Sequence, residues 1–422
     1  MRIVLWHGYL LAGTGSNVYS RSLARAWSKL GHEVVVLCQD PHPERYDLGG
    51  ARVVRPAIGP TLPVFVVDWY EDVEARRIQD LPRSTVDAVV EANAAAIRAE
   101  LPADLVFTNH VLLGAPVGVA SGAPFAVKVH GSELEFTIRG DEALTRWARE
   151  TLDRAQEVYA GTEHIRRSLV EILGPGDYES RVKTVPPGVD VDDFRPRPRE
   201  EALAGLLAEA ALDPPNPGRG GVDGHNQRLP DDGNAARLEA FLSGGGPTIV
   251  FVGRVSREKG AHLLVEAVRR LGVRTVMVGW GDVREELEAE ARDLPILFTG
   301  PMEHRHLAHL FALADVSVAP STFPEAFGMV AAEAAACGAP PLVARHTGLA
   351  EVAEGLEAEY PPDLRHLASF ANGDVDDLTG KLRAILALPP ARHAELRQAA
   401  RRAAVDRWSW EHVADAILAG WH

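Results

Sequence analysis

Short apolar runs alternate with stretches of helical pattern along this chain, and they do so in two separate series. Ile3 to Trp6, Glu33 to Cys38, Leu105 to Thr108, Phe125 to Val129 and Glu157 to Ala160 have the length and residue types of buried strands, with helical segments such as Ser20 to Leu30 and Ser84 to Glu100 between them. Such alternation predicts a parallel sheet, because parallel neighbours need a crossover and the crossover helices cover both faces. A second series runs through Thr248 to Val252, Arg274 to Val278, Ile296 to Phe298, Val316 to Ala319 and Pro341 to Ala344. Between the two lies Pro214-Pro215-Asn216-Pro217-Gly218-Arg219-Gly220-Gly221, continuing through Asp232-Gly233-Asn234. It is polar, rich in glycine and proline and without apolar period, and reads as a weakly ordered excursion. The predicted fold class is α/β with two doubly wound parallel sheets, for which 422 residues provide two cores.

Charge and cysteine content narrow the function. A formal net charge of -15 argues against broad nucleic-acid binding, which rests on a basic footprint, and against adsorption to anionic lipid. Cys38 and Cys337 provide neither a disulfide framework nor metal-ligand spacing, and their apolar surroundings suit small buried residues. Met1-Arg2-Ile3-Val4-Leu5-Trp6 enters a strand pattern directly, without the zones of a secretory signal, and no apolar run approaches a membrane span. A cytoplasmic protein is expected.

Two segments of the second series carry chemistry. Pro324-Glu325-Ala326-Phe327-Gly328-Met329-Val330-Ala331-Ala332-Glu333 sets two carboxylates with seven residues between them at the mouth and in the second turn of a predicted helix that Gly338 caps. Helix-start N–H groups attract an anion, whereas the acids repel one, so the acids must face neutral hydrogen-bond donors such as hydroxyls. A sugar nucleotide meets both demands. The other reading is one glutamate favouring the helix dipole and one solvated on its surface. Upstream, the strand Thr248 to Val252 runs into Gly253-Arg254-Val255-Ser256-Arg257-Glu258-Lys259-Gly260, a phosphate-facing corner in which Arg254 and Lys259 are placed to neutralise a diphosphate, or are ordinary solvated charges.

In the first series, ligands are expected beyond the carboxyl ends of the strands. There the first strand leads through His7-Gly8 into Gly13-Thr14-Gly15-Ser16. His130 opens the turn His130-Gly131-Ser132-Glu133, Lys128 lies two residues earlier on the same strand face, and His110 follows Thr108-Asn109. Lys128 either reaches an acidic acceptor or packs its stem on apolar surface with the amine in water. Each histidine is either a site residue or a neutral ring satisfied by its surroundings.

Together these segments resemble the retaining glycosyltransferases of family 4, which have the two-domain GT-B fold. The resemblance is carried by FVGRVSREKG (251–260), PEAFGMVAAEAAACGAPPLVA (324–344), GTGSNVYSRSLARAWSKLGHEVVVL (13–37), PPGVDVDDF (186–194) and RWSWEHVADAIL near the end, and so covers most of the chain. The glycine loop departs from the pattern, since many relatives have adjacent glycines there.

The resemblance implies two Rossmann-like domains facing across a cleft: 1–195 on the acceptor side, 247–405 for the donor, 196–246 between them as linker or insertion, and 406–422 as a terminal helix returning to the first domain. It implies transfer of a glycosyl group from a nucleoside diphosphate sugar, a UDP-sugar first, to an acceptor hydroxyl with retention. In these terms Arg254 and Lys259 stabilise the departing diphosphate and Gly253 lets it approach. Glu325 and the N–H groups around Ala326, Phe327 and Gly328 hold sugar hydroxyls, Met329 and Val330 belong to the donor-binding stretch, and Glu333 holds the ribose. Gly13 and Gly15 face donor and acceptor, His130 orients the transferred sugar, and Lys128 and His110 are acceptor-side candidates. No cofactor or metal is expected, since Asp190/Asp192 and Asp374/Asp376 resemble metal pairs only in spacing. The acceptor is a small molecule, a glycan or a lipid-linked hydroxyl, the last implying a peripheral position at the inner membrane face. An epimerase or other GT-B enzyme, or a nucleotide-sugar-binding protein without activity, is the alternative.

Overall fold

The computed structural model describes residues 1–11, 14–65, 74–216 and 229–421. Gly13, Asp68, Trp69 and Tyr70 and the middle of the Gly/Pro-rich stretch lie outside the described residues. The chain divides into two compact units, Met1–Gly188 with Trp410–His422, and Val189–Ser409.

The first unit is built on a seven-stranded sheet in the order Arg52–Val54, Glu33–Leu37, Arg2–Trp6, Leu105–Asn109, Phe125–Lys128, Glu157–Ala160, Val182–Thr184, every pair parallel. The strand period of two divides its core: Val4 and Trp6 join one apolar cluster and Ile3 and Leu5 the other. Helix Gly15–Lys29 covers the second face with Tyr19, Leu23 and Trp27, and beside it lies the terminal helix Trp410–Leu418 through Trp410, Val413, Ala414, Ile417 and Leu418. Trp27 Nε1–H donates to the Ala414 carbonyl at 3.3 Å and the Tyr159 hydroxyl to that of Ile417 at 2.9 Å.

The second unit repeats the plan with six parallel strands, in the order Ile296–Phe298, Arg274–Val278, Thr248–Val252, Val316–Ala319, Pro341–Ala344, Ser369–Phe370. Residues 196–246, expected as a linker or insertion between the domains, carry two helices of this unit's core. Arg199–Ala210 buries Ala202, Leu206 and Ala210, and Asn234–Leu242 buries Leu238 and Leu242. That spacing of four is a helix's inward face, which the neighbouring prolines and glycines mask in a composition reading. The strands of these two sheets absent from the sequence reading are edge strands of two or three residues, Arg52–Val54, Val182–Thr184 and Ser369–Phe370, too short to display a period; Thr61–Val64 and Glu74–Arg77, which pair with each other in the first unit, were not read either. No described helix is long and apolar enough to cross a membrane.

In each sheet the strand order reverses beside the first strand. The carboxyl ends at that point lead to His7 and His110 in the first unit, and to the loops after Val252 and Ala319 in the second.

Candidate active site

In the second unit, two loops from different parts of the chain are stitched into one surface. Thr322 and Phe323 N–H donate to the Glu258 carbonyl at 2.8 and 3.1 Å. Gly260 makes this approach possible: at φ +70, a Cβ there would lie 1.9 Å from the Pro320 carbonyl oxygen. The result is an ion pair between Lys259 and Glu325, residues 66 positions apart. Arg254 is exposed on the same loop, its guanidinium 5.9 Å from the centre of the Trp280 ring. Arg257, by contrast, is paired with Glu286.

Glu325 is held from below by a turn that the sequence reading missed. The Thr347 hydroxyl accepts from Glu325 N–H at 3.0 Å, and Gly348 N–H donates to the Glu325 carbonyl at 3.0 Å. Gly348 is so close that a Cβ would stand 2.6 Å from Phe327 N. The positive φ of 45° at Thr347, a β-branched residue, marks strain at this support. The signal was present as Thr-Gly after an apolar strand, but nothing local says which loop it supports.

The helix after Glu325 runs from Met329 to Ala336 with Gly328 at its N-cap, so the Met329 and Val330 N–H groups belong to a first turn, with no carbonyl one turn earlier to meet them. Phe327 turns inward and packs edge-on against Trp408 at 5.9 Å, so its side chain is an anchor of the loop rather than a ligand contact. Glu333 is 4% exposed, its pKa pushed up to about 8 by burial, with His304 Nε2 at 3.4 Å from Oε1.

In the first unit, three histidines gather at the switch point. His7 is buried between Asn17 Oδ1 at 2.8 Å and the Ser20 hydroxyl at 2.9 Å, and burial lowers its pKa to about 4. His130 Nε2 is 3.0 Å from Asn109 Oδ1, and its ring lies 4.6 Å from that of His110. His110 takes φ +71, packs against Phe65 at 4.8 Å and Tyr9 at 5.1 Å, and has no hydrogen-bond partner at either ring nitrogen among the described residues. Burial, first, holds the pKa of both His110 and His130 well below the ordinary value, so both rings are neutral at pH 7. Gly15 opens helix Gly15–Lys29, with the Thr14 hydroxyl capping Asn17 N–H.

Lys128 departs from both sequence readings. Its amine is buried, donates to the Val185 carbonyl at 2.8 Å and lies 5.1 Å from the Tyr19 ring centre, and burial pushes its pKa down to about 7. A parallel strand covered on both faces has no solvated side, so the amine cannot reach water there.

Glu133 was named in the sequence only as part of the His130 turn, yet it organises this cluster. Its fully buried carboxyl accepts Val111 N–H at 2.8 Å, Leu112 N–H at 3.3 Å and His130 N–H at 3.3 Å, with His110 Nδ1 at 3.8 Å. It therefore ties both histidine-bearing turns to one group. Burial raises its pKa to about 8, against the lowering by those three donors. A glutamate three residues after His130 at a helix start is capping-box spacing, the one signal that points to it.

The chain is similar to known proteins along most of its length. Residues 236–404 match the family model of glycosyl transferases group 1, and residues 14–213 that of the glycosyl transferase 4-like domain. A D-inositol 3-phosphate glycosyltransferase of Xylanimonas cellulosilytica is 28% identical over 428 residues, covering 96% of this chain and 90% of that protein. The enzyme of that name from Mycobacterium avium is 30% identical over 287 residues, 64% of this chain and 56% of its own length. The match thus spans little more than half of the mycobacterial protein. Among solved structures, sucrose-phosphate synthase from Thermosynechococcus elongatus superposes with a TM-score of 0.61 at 21% identity, over 100% of this chain and 98% of that one. Anabaena HepE in complex with UDP and glucose does so with 0.66 at 17%, over 99% and 98%. The chain belongs to the group 1 glycosyl transferases, family 4, with the GT-B fold.

Proposed function

We propose that the protein transfers a glycosyl group from a UDP-sugar to a hydroxyl of a polyhydroxylated ring, with retention at the anomeric carbon. The observation that carries this reading is the meeting of Lys259 and Glu325 on one surface, beside Arg254 and a helix start. A cation and an acid at one point suit a ligand that is anionic at one end and hydroxylated at the other. Arg254, Lys259 and the N–H groups after Gly328 stabilise the departing diphosphate, Glu325 accepts from sugar hydroxyls, and Glu333 accepts from the ribose.

The acceptor oxygen forms the new bond to the anomeric carbon as the bond from that carbon to the diphosphate oxygen breaks. The departing oxygen takes the hydroxyl proton. No protein nucleophile is required, and the work is positioning and charge stabilisation. His130, neutral and oriented by Asn109, binds the transferred sugar, and Gly15 and His110 contribute to the acceptor side. The orphan nitrogens and strained backbone of His110 support this role, because an unpartnered buried imidazole costs free energy that a ligand hydroxyl recovers. Lys128, with its amine turned into the core, is left out. Phosphorylated inositol, named for the two relatives, is the first acceptor to test. The two guanidinium and ammonium charges stand where a divalent cation would otherwise serve, so turnover is expected to persist in EDTA. Two free, buried cysteines support a cytoplasmic site of action.

The test is thermal stabilisation by UDP-, GDP- and ADP-sugars, followed by product analysis with D-inositol 3-phosphate and other polyols. A ligand of the folded state at 100 times its Kd stabilises by about 2.7 kcal/mol. A UDP-sugar is expected to raise melting and the product to keep the donor's anomeric configuration by NMR. The absence of any shift with all three classes would sink the reading.

A further inference from the structure

We propose that His304 is a positioning residue for the nucleotide: it anchors Glu333 so that the carboxylate presents its free oxygen to the ribose diol. The inference rests on the reading of the second unit as the nucleotide-sugar site, and adds a residue to which neither the family resemblance nor the sequence gives a role.

Glu333 is among the most buried acids of the chain, at 4% exposure, and among the described residues its carboxyl has one polar side-chain partner, His304 Nε2, 3.4 Å from Oε1. The ring of His304 is set edge-on to Phe194 at 5.7 Å, which fixes its plane. The residue opens helix His304–Leu313, on the loop that follows the strand Ile296–Phe298, at the carboxyl edge of the sheet. Its side chain is 46% exposed while that of Glu333 is 6% exposed. The pair is thus open on the histidine side and closed on the acid side.

The chemistry of a ribose explains the arrangement. Two vicinal hydroxyls donate most readily to an ionised carboxylate, which is acceptor-only, whereas a protonated carboxyl must spend one oxygen as a donor. Burial pushes Glu333 toward the protonated form, its pKa rising to about 8. Arg197, Arg397 and Arg401, which act on Cys337 one turn further along, donate to the carbonyls of Ala308, of Ala314 and Ala312, and of Phe194, Ala336 and Val191 respectively. His304 is the donor left to favour the carboxylate and to hold one of its oxygens, leaving the other for the ligand.

The experiment uses the full chain and measures binding of UDP, GDP and ADP and of their 2′-deoxy counterparts by calorimetry, for wild type, His304→Phe and His304→Gln. Phenylalanine keeps the packing on Phe194 and removes the donor; glutamine restores a donor without the ring. Wild type is expected to prefer the preferred ribonucleotide over its 2′-deoxy form by about tenfold, the value of one charged hydrogen bond. His304→Phe is expected to lose most of that preference with unchanged melting in the absence of nucleotide, and His304→Gln to recover it. A His304→Phe variant that keeps the wild-type ratio overturns the proposal, and so does one that weakens both forms equally, which marks general damage to the site. A wild type that binds nucleotide without 2′-hydroxyl preference overturns it as well. A wild type that binds none of the three diphosphates overturns the nucleotide-sugar reading itself, a result distinguishable from the others.

Discussion

Lys259 and Glu325 neutralise one another across the two loops, and this shapes what single substitutions do. Lys259→Ala and Arg254→Ala leave no cavity in the core, yet under the proposed function they remove leaving-group stabilisation of about 2 to 4 kcal/mol. Turnover is therefore expected to fall by 30-fold or more, on the order that this energy implies, while melting shifts little. Glu325→Gln is expected to fold and to be similarly impaired. Purified variants with wild-type kcat on the true substrates would refute the assignment. The histidine cluster carries a second residue-scale prediction. His7 has a folded-state pKa of about 4, below its ordinary 6.5, so the unfolded chain binds its proton first as pH falls. The penalty is absent above 6.5 and grows from there to about 4, reaching about 3 kcal/mol. Denaturation of wild type and His7→Gln at pH 7.5 and 4.5 measures it: the wild type is expected to lose more stability on acidification. Glu333, raised by burial, acts with the opposite sign, favouring the fold as pH drops below 8, which is why the comparison is made between variants.

At the scale of elements, the terminal helix is a structural part of the first unit's sheet face. Truncation before Trp410 removes five buried residues from one cluster, Trp410, Val413, Ala414, Ile417 and Leu418, the large ones at about 1.5 to 3 kcal/mol each. Loss of this helix is expected to unfold the first unit and not merely to loosen it, as read by circular dichroism and proteolysis. Gly188 belongs to the same contact, since a Cβ there would meet the Trp410 ring at 2.4 Å. In the second unit Gly260→Ala is expected to destabilise by about 1 to 3 kcal/mol, and to lower donor affinity in the folded fraction, because it forces apart the loops that bring Lys259 to Glu325. Donor affinity equal to wild type in that variant would show that the loop junction does not shape the site.

For the whole molecule, donor binding is expected to protect the second unit's amides at 253–260 and 324–333 against hydrogen exchange, since those segments carry the proposed nucleotide surface; unchanged exchange at saturating UDP-sugar would contradict it. The division of labour between sequence and tertiary structure follows from the range of each interaction. Strand and helix periods, the glycines of the two loops, the cations of one and the acids of the other are local, so the two sheets apart from their short edge strands could be read, and Arg254, Lys259, Glu325 and His130 named as candidates, without coordinates. The helices Arg199–Ala210 and Asn234–Leu242 had a legible period too, but flanking prolines and glycines outweighed it. What the sequence did not carry depends on residues far apart in the chain. The Thr347-Gly348 support under Glu325, the burial of the Lys128 amine against Val185, the inward turn of Phe327, the Glu133 bracket on two histidine turns and the His304 contact to Glu333 each join separate segments. A side chain's partner and its desolvation are properties of the packed sheet, not of its neighbours in sequence, and only the tertiary structure decides them.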